Sequence, residues 1–448
     1  MENAQEVRIR MPGEASPEQA AAAASGEKDL PKIAVLVCHG MGQQVPFQTL
    51  DGVAQLLVQN TGQQVHEVTL VNCGGKLLPR AELVLEENKE RVLVHLYEAY
   101  WAPFTEGRVN SWDVIKFLYE SAWGGLQFAA RGIFDRWLFG KMRSLREQFQ
   151  PRSTAAKILG ALLVVSLLVV LGLGVALAGA GSIVLFLQPK AVDSVFTRVV
   201  HSIPLPFGWA LVVWFLLLAV VLMVRYFLIQ YVGDVGAYVS PYKVSKFDEL
   251  RNQIQAAGEE VARCIYDLKD SSGRPCYGGV VLVGHSLGSV LAYDTLNRMI
   301  NEELYVDPTL EVISRSRVLI TFGSPLDKTA FIFRSHLRSA VFREALAGAK
   351  QPLIQSYDFR PEKWINIYSK LDIISGSLDF YDNPDKADGR LPGDHKRIDN
   401  RIDEECRFPL FAHVEYWGHS ALRDALYEGI GLAALPHQQK VALDNHAA

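Results

Sequence analysis

The feature that most constrains this chain is the junction Gly284-His285-Ser286-Leu287-Gly288, which joins a short apolar, β-branched run to a segment of helical periodicity. Gly279-Val280-Val281-Leu282-Val283 precedes it with the composition of a buried strand, and Leu287, Val290, Leu291 and Leu296 follow at helical spacing. The pentapeptide therefore fills a strand-to-helix turn. Such a turn holds its serine in a strained backbone conformation above a sheet edge, while Gly284 and Gly288 let strand and helix approach without Cβ clashes. The hydroxyl is exposed at a helix N-terminus, which makes Ser286 a candidate nucleophile, with His285 part of the supporting motif.

A second strand candidate, Lys32-Ile33-Ala34-Val35-Leu36-Val37-Cys38, ends in His39-Gly40-Met41-Gly42. Acyl transfer passes through a tetrahedral intermediate whose oxygen becomes negative, and two preorganised backbone N–H groups stabilise that charge. The turn around Ser286 offers the N–H of Leu287, and the residue after the His-Gly pair, Met41, offers the second. Gly40 and Gly42 keep side chains clear of a bound substrate, with His39 completing the loop motif.

These two motifs resemble those of α/β-hydrolase-fold lipases and esterases, with features similar to GPI inositol-deacylase-like and DDHD-type intracellular lipid hydrolases. The resemblance implies an α/β-hydrolase fold, a mostly parallel sheet flanked by helices, with a triad in chain order serine, acid, histidine. Arg317–Phe322 reads as the next strand, followed by the turn Gly323-Ser324-Pro325-Leu326. Trp364–Tyr368 alternates like a strand, and Asp372, four residues past it, is the acid by position. Asp327, Asp379 and Asp382 are the alternatives. For the base, His413 precedes Tyr416-Trp417 as the catalytic histidine of similar lipases precedes a Tyr-Trp pair, and His419 and His395 are the alternatives. The implied activity is hydrolysis of carboxylic esters, of lipids or phospholipids above all, through an acyl-serine intermediate and without cofactor or metal. A thioesterase or acyltransferase using the same triad, or a membrane scaffold that keeps the fold without turnover, are the other readings.

The middle of the chain has no place in a minimal hydrolase. Ile158–Leu187 is uncharged and almost wholly apolar; as a helix it would run about 45 Å against a hydrocarbon core of about 30 Å. Phe207–Val224 is a second uncharged stretch, with Trp209 and Trp214 within it and Tyr226, Phe227 and Tyr231 after it. Together they predict a transmembrane helical hairpin interrupting the hydrolase domain. Before it, Trp112, Phe117, Trp123, Phe128, Phe134, Trp137 and Phe139 run among basic residues, which suits a helix at the lipid headgroup level or a lid. The expected organisation is a disordered leader (1–30), a first hydrolase part (31–103), this aromatic and basic region (104–157), the hairpin (158–230), a second hydrolase part (231–435) and a tail (436–448).

Charge orients the hairpin. Arg131, Arg136, Lys141, Arg143, Arg146, Arg152 and Lys157 precede the first span against Asp135 and Glu147, while the loop between spans carries Lys190, Arg198 and Asp193. The positive-inside rule puts both termini, and with them the catalytic domain, on the cytoplasmic side. The oxyanion loop precedes the hairpin and the triad follows it, so one assembled site needs an even number of crossings. A net charge of −4 gives no support for a nucleic-acid partner; the expected partners are the lipid bilayer and an acyl-ester substrate. The five cysteines, Cys38, Cys73, Cys264, Cys276 and Cys406, lack metal-ligand spacing, and their odd number suits reduced thiols. Gly74-Gly75-Lys76 does not fit a phosphate loop and reads as a plain loop.

Topology is testable by labelling. With the native cysteines replaced, a cysteine at Ser194 should react with a membrane-impermeant thiol reagent from outside intact cells, whereas one at Ser16 or Asp270 should react only after lysis. Labelling of all three from one side would rule out the hairpin.

Overall fold

Nine strands, β1 (Val7–Ile9), β2 (Lys32–Cys38), β3 (Glu67–Cys73), β4 (Lys76–Glu87), β5 (Glu90–Ala99), β6 (Gly279–His285), β7 (Ser316–Phe322), β8 (Lys363–Tyr368) and β9 (Ile398–Ile402), form one sheet. Their spatial order is β1-β3-β4-β5-β2-β6-β7-β8-β9. Strands β5, β2, β6, β7, β8 and β9 run parallel, and β1, β3 and β4 extend the sheet through antiparallel pairings. This is a computed structural model, and it describes residues 7–9, 30–41, 45–58, 67–87, 90–105, 108, 245–329, 351–372, 374–378, 381, 396–408 and 412–432. Both apolar stretches, most of the aromatic and basic region and the tail lie outside them. Among the described residues no helix is long and apolar enough to cross a membrane.

Helices cover both faces of the sheet, which is why its central strands read as near-continuous apolar runs. Along β2 successive side chains go to opposite faces. Ile33, Val35 and Val37 join a core with Leu50, Val53 and Leu57 of α1 (Gln48–Val58). Leu422, Leu426 and Ile430 of the C-terminal helix Ser420–Ile430 complete that layer. Ala34, Leu36 and Cys38 face the other core, with Trp101 before the short α2 (Ala102–Thr105), Ile254 and Ile265 of α3 (Ser245–Asp267), and Leu291 and Leu296 of α4 (Leu287–Tyr305). Each fully buried Leu or Ile contributes roughly 1.5–3 kcal/mol. The segments before and after residues 109–244 therefore build a single sheet and share both cores.

Several expectations need correction. Val7–Ile9, inside the stretch read as a disordered leader, forms β1 against β3. Gly74-Gly75, in keeping with its reading as a plain loop, is the two-residue turn of the β3–β4 hairpin, with φ of 60° and 91°, and Cys73 pairs with Lys76. Both central residues at positive φ suit the right-handed twist of the flanking strands, and glycine adopts that conformation without a Cβ penalty. Cys73 and Cys264 form a disulfide with a Cα–Cα distance of 5.5 Å, against the expectation of five reduced thiols; Cys38, Cys276 and Cys406 are free. The bridge joins β3 to α3 across 191 positions, a proximity created only when α3 packs over the sheet.

Gly288 sets the approach of α4 to β2. A Cβ built there would lie 2.2 Å from the Cys38 carbonyl oxygen and 2.3 Å from that of His39, both backbone atoms. Gly278 has no atom within 4 Å of such a Cβ. Gly288→Ala should therefore lower stability by about 3 kcal/mol or more, while Gly278→Ala should stay within about 0.5 kcal/mol of wild type. Denaturant unfolding distinguishes them, and equal midpoints would refute the tight approach.

Candidate active site

The strand order reverses its direction of growth at β2 and β6. From β2 the chain crosses outward to β3 and returns through β4 to β5 beside β2, whereas from β6 it builds outward on the other side to β9. In open α/β sheets ligands bind beyond the carboxyl ends of the strands at such a switch point. Here the paired ends are Cys38 and Gly284, so His39–Met41 and Ser286 leave adjacent strands side by side.

Ser286 caps α4 at φ 52° and ψ −127°, a conformation that costs a non-glycine residue about 1–3 kcal/mol. Neighbouring bonds hold it there. The Ser286 N–H donates to the Phe322 carbonyl at 3.0 Å, and the Ser289 N–H to the Ser286 carbonyl at 3.0 Å. The Ser289 hydroxyl lies 2.5 Å from that same carbonyl oxygen and 2.7 Å from the Ser324 hydroxyl. A Cβ at Gly284 would sit 2.5 Å from the Gly288 carbonyl oxygen, so only glycine permits the turn.

His413 sits on the short α5 (Ala412–Glu415) and lies between Ser286 and Asp372. Its Nε2 is 2.7 Å from Ser286 Oγ and its Nδ1 is 2.9 Å from Asp372 Oδ2. With the Nδ1 proton facing the carboxylate, Nε2 is free to accept the serine proton. The acid is fixed from several directions. Tyr416 donates its hydroxyl to Asp372 Oδ2 at 2.9 Å, and the Ile374 N–H donates to Oδ1 at 2.8 Å. Burial alone would raise the Asp372 carboxyl, but the hydrogen bond and charge of His413, then the Ile374 N–H and Ser375, outweigh it and hold the group well below the usual carboxylate range. Burial, then the Asp372 charge, pushes the Tyr416 phenol up, so it remains a donor. His285 supports His413 through its backbone: its Nε2 is 2.9 Å from the His413 carbonyl oxygen, and its ring stacks on Phe322. Burial first, then the nearby His413, lowers His285 to about 3, leaving it a neutral donor.

The loop after β2 presses on this centre. A Cβ at Gly40 would meet His285 Nδ1 at 3.0 Å and Ser286 Cβ at 3.2 Å. His39 is an anchor: its Nδ1 is 2.7 Å from the Gly40 carbonyl oxygen, and its Nε2 accepts from the Trp101 N–H at 2.9 Å. Its ring stacks on the Trp101 indole, and burial lowers it to about 4. Met41 follows, buried, and Leu287 opens α4, where first-turn N–H groups have no intrahelical acceptor. Gly42 lies outside the described residues.

One participant had no signal in the sequence. Glu98, at the end of β5, accepts the Phe47 N–H at 2.7 Å and so holds Phe47 at φ 68°. Burial raises this carboxyl to about 7, only partly offset by the Phe47 bond, and its buried Oε1 has no hydrogen-bond partner among the described residues.

Of the alternative acids, Asp327 lies in the helical stretch 326–329 after β7 and it is Asp372 that meets His413; Asp379, Asp382 and His395 lie outside the described residues. His419 belongs to a separate group, with Nδ1 2.8 Å from Asp403 Oδ2 and 4.0 Å from Cys406 Sγ. Asp403, Cys406 and His419 are the set among the described residues whose donor atoms could share a metal ion. Comparison of the chain with protein-family models, curated proteins and solved structures finds no match in any of the three.

Glu98 gives the fold a pH dependence with a definite sign. Its folded value lies above its ordinary 4.5, so its stabilising effect is complete below pH 4.5 and is lost as pH rises through about 7. Glu98→Gln keeps an acceptor for Phe47 and removes the buried charge. The variant should gain on the order of 2 kcal/mol over wild type at pH 8 relative to pH 5. Parallel denaturant curves at the two pH values that coincide would overturn this.

Proposed function

We propose that the chain is a membrane-anchored serine hydrolase of the α/β-hydrolase fold, cleaving carboxylic esters of lipids or phospholipids. The observation that carries the reading is His413, bonded at 2.7 Å to the hydroxyl of a backbone-strained Ser286 and at 2.9 Å to a buried carboxylate. In this reading Ser286 Oγ attacks the ester carbonyl carbon while His413 Nε2 takes its proton, and Asp372 stabilises the imidazolium that forms. The carbonyl oxygen becomes negative and is met by the N–H groups of Met41 and Leu287. Collapse breaks the carbon–oxygen bond to the alcohol, which leaves with the proton from His413. Water, deprotonated by the same imidazole, then attacks acyl-Ser286, and the serine recovers its proton as the acid departs. An acceptor other than water would make the same site an acyltransferase, and a thioester would be attacked in the same way.

The membrane assignment rests on the uncharged stretches Ile158–Leu187 and Phe207–Val224 and the basic flank before them. Arg108, just before the undescribed segment, donates to Gln253 in the first half of α3 at 2.8 Å, so the residues on both sides of that segment pack in one domain. That supports an even number of crossings. The Cys73–Cys264 bridge bears on the compartment, because disulfides persist in oxidising surroundings and the cytosol keeps thiols reduced. We give the charge asymmetry around the apolar stretches the greater weight and place the catalytic domain on the cytoplasmic side.

An activated serine attacks phosphorus as it would a carbonyl, so a fluorophosphonate probe should label the full-length protein in detergent or liposomes, and Ser286→Ala should abolish labelling. Against a panel of lipid esters, His413→Ala and Asp372→Asn should each lower kcat by roughly a thousandfold or more. His419→Ala should retain labelling, since it does not touch Ser286. An unlabelled but folded wild type would sink the enzyme reading, and an active His413→Ala would sink the assignment of the base.

A further inference from the structure

Asp403, Cys406 and His419 lie outside the triad and have no part in the chemistry above. They bring three donor types, a carboxylate oxygen, a sulfur and an imidazole nitrogen, within 4.8 Å of one another. Asp403 and Cys406 are buried, while the His419 side chain keeps 18% of its exposure, which leaves an entry path. The carboxylate is already oriented: Asp403 Oδ1 accepts the Glu405 N–H at 2.9 Å, which aims Oδ2 at His419. Metal ligands are commonly oriented by such outer bonds. The thiol meets the Ala412 carbonyl oxygen at 3.7 Å and His419 Nδ1 at 4.0 Å, both long contacts, and Ser369 also hydrogen-bonds to it.

We propose that Asp403, Cys406 and His419 form a binding site for a borderline-soft divalent cation, zinc in particular. Zinc binds sulfur at about 2.3 Å and nitrogen or oxygen at about 2.0–2.1 Å in tetrahedral geometry, which sets S···N near about 3.5 Å and N···O near about 3.3 Å. The observed 4.0 Å must close by about half an ångström and the 2.8 Å must open by as much, shifts that side-chain torsions supply. Thiolate with imidazole and carboxylate favours zinc over calcium or magnesium, which take oxygen ligands. Three protein ligands leave a fourth position for water. Binding would release the thiol proton to solvent, while the imidazole would bind through Nδ1 as the neutral ring with its proton on Nε2.

The site brackets the candidate base. Cys406 and His419 stand on either side of His413 in the chain, and Asp403 follows the end of β9. A bound ion would tie both ends of the segment carrying His413 to the sheet, where the Asp403 N–H already donates to the Tyr368 carbonyl at 2.9 Å.

The test uses the full-length protein in detergent, stripped with a chelator and titrated with cobalt(II). The expected result is about one cobalt per chain, with a near-ultraviolet thiolate-to-cobalt absorption band. Cys406→Ser should lose the band, and Asp403→Asn and His419→Ala should each weaken binding roughly tenfold or more. Zinc should raise the Tm of wild type and leave that of Cys406→Ser unmoved, with circular dichroism confirming that each variant is folded. Folded wild type that binds no cobalt, cobalt bound without the band, or a band that survives in Cys406→Ser would each overturn the site. Every readout is taken without substrate, so its failure leaves the hydrolase reading untouched.

Discussion

The structure depends on the parallel pairing of β2 with β6, which sets Cys38 beside Gly284 across most of an interrupted chain. Everything at the candidate site descends from that register. A shift of one residue would turn the side chains of β2 to the opposite face and exchange the two cores. It would also carry His39–Met41 away from the turn at Ser286. The contact is locked by Gly288, whose backbone leaves no room for a methyl group against the carbonyls of Cys38 and His39. Pairing energy between strands is thereby converted into the position of two loops.

The strain at Ser286 is held by this frame. A φ of 52° persists because the serine N–H is taken by Phe322 of the next strand and its carbonyl by the Ser289 N–H and hydroxyl. Above it lies a compact aromatic and imidazole layer. His285 stacks on Phe322, Trp417 meets Phe322 edge-on at 5.0 Å, and Tyr416 lies against Gly323, which itself needs a φ of 58°. Tyr416 is also the residue that donates to Asp372, so one ring packs the loop carrying His413 and orients the Asp372 carboxylate at once. His413 is thus held from its backbone by His285 and from its ring by Asp372.

Legibility in the sequence followed the locality of the physics. The strands β2, β6, β7 and β8 are buried on both faces and announce themselves as β-branched runs. The turn at Ser286 is local, so its residues could be read without the fold, and positions 372 and 413 followed from chain order once a resemblance supplied it. β4 was hidden because Pro79 and several charged residues occupy it; it lies between β3 and β5, and proline there lacks a ladder N–H. β9, Ile-Asp-Asn-Arg-Ile, is an edge strand with too little apolar surface to read as one. The Glu98–Phe47 bond joins residues 51 positions apart, and the Cys73–Cys264 bridge needs α3 already in place. No local pattern encodes either.

The same distinction explains how a long, largely apolar segment can interrupt this domain at all. Strands β2 to β5 come before the break and β6 to β9 after it, yet the central pairing joins the two sets, so neither half has a complete core by itself. Loop-closure entropy grows only with the logarithm of the intervening length, each doubling adding about 0.6 kcal/mol. Against that stand many buried Leu, Ile and Val side chains shared across the break, at roughly 1.5–3 kcal/mol each. A long insertion between β5 and α3 is therefore a small perturbation to the sheet. The bond between Arg108 and Gln253 holds the residues before the break against α3 after it.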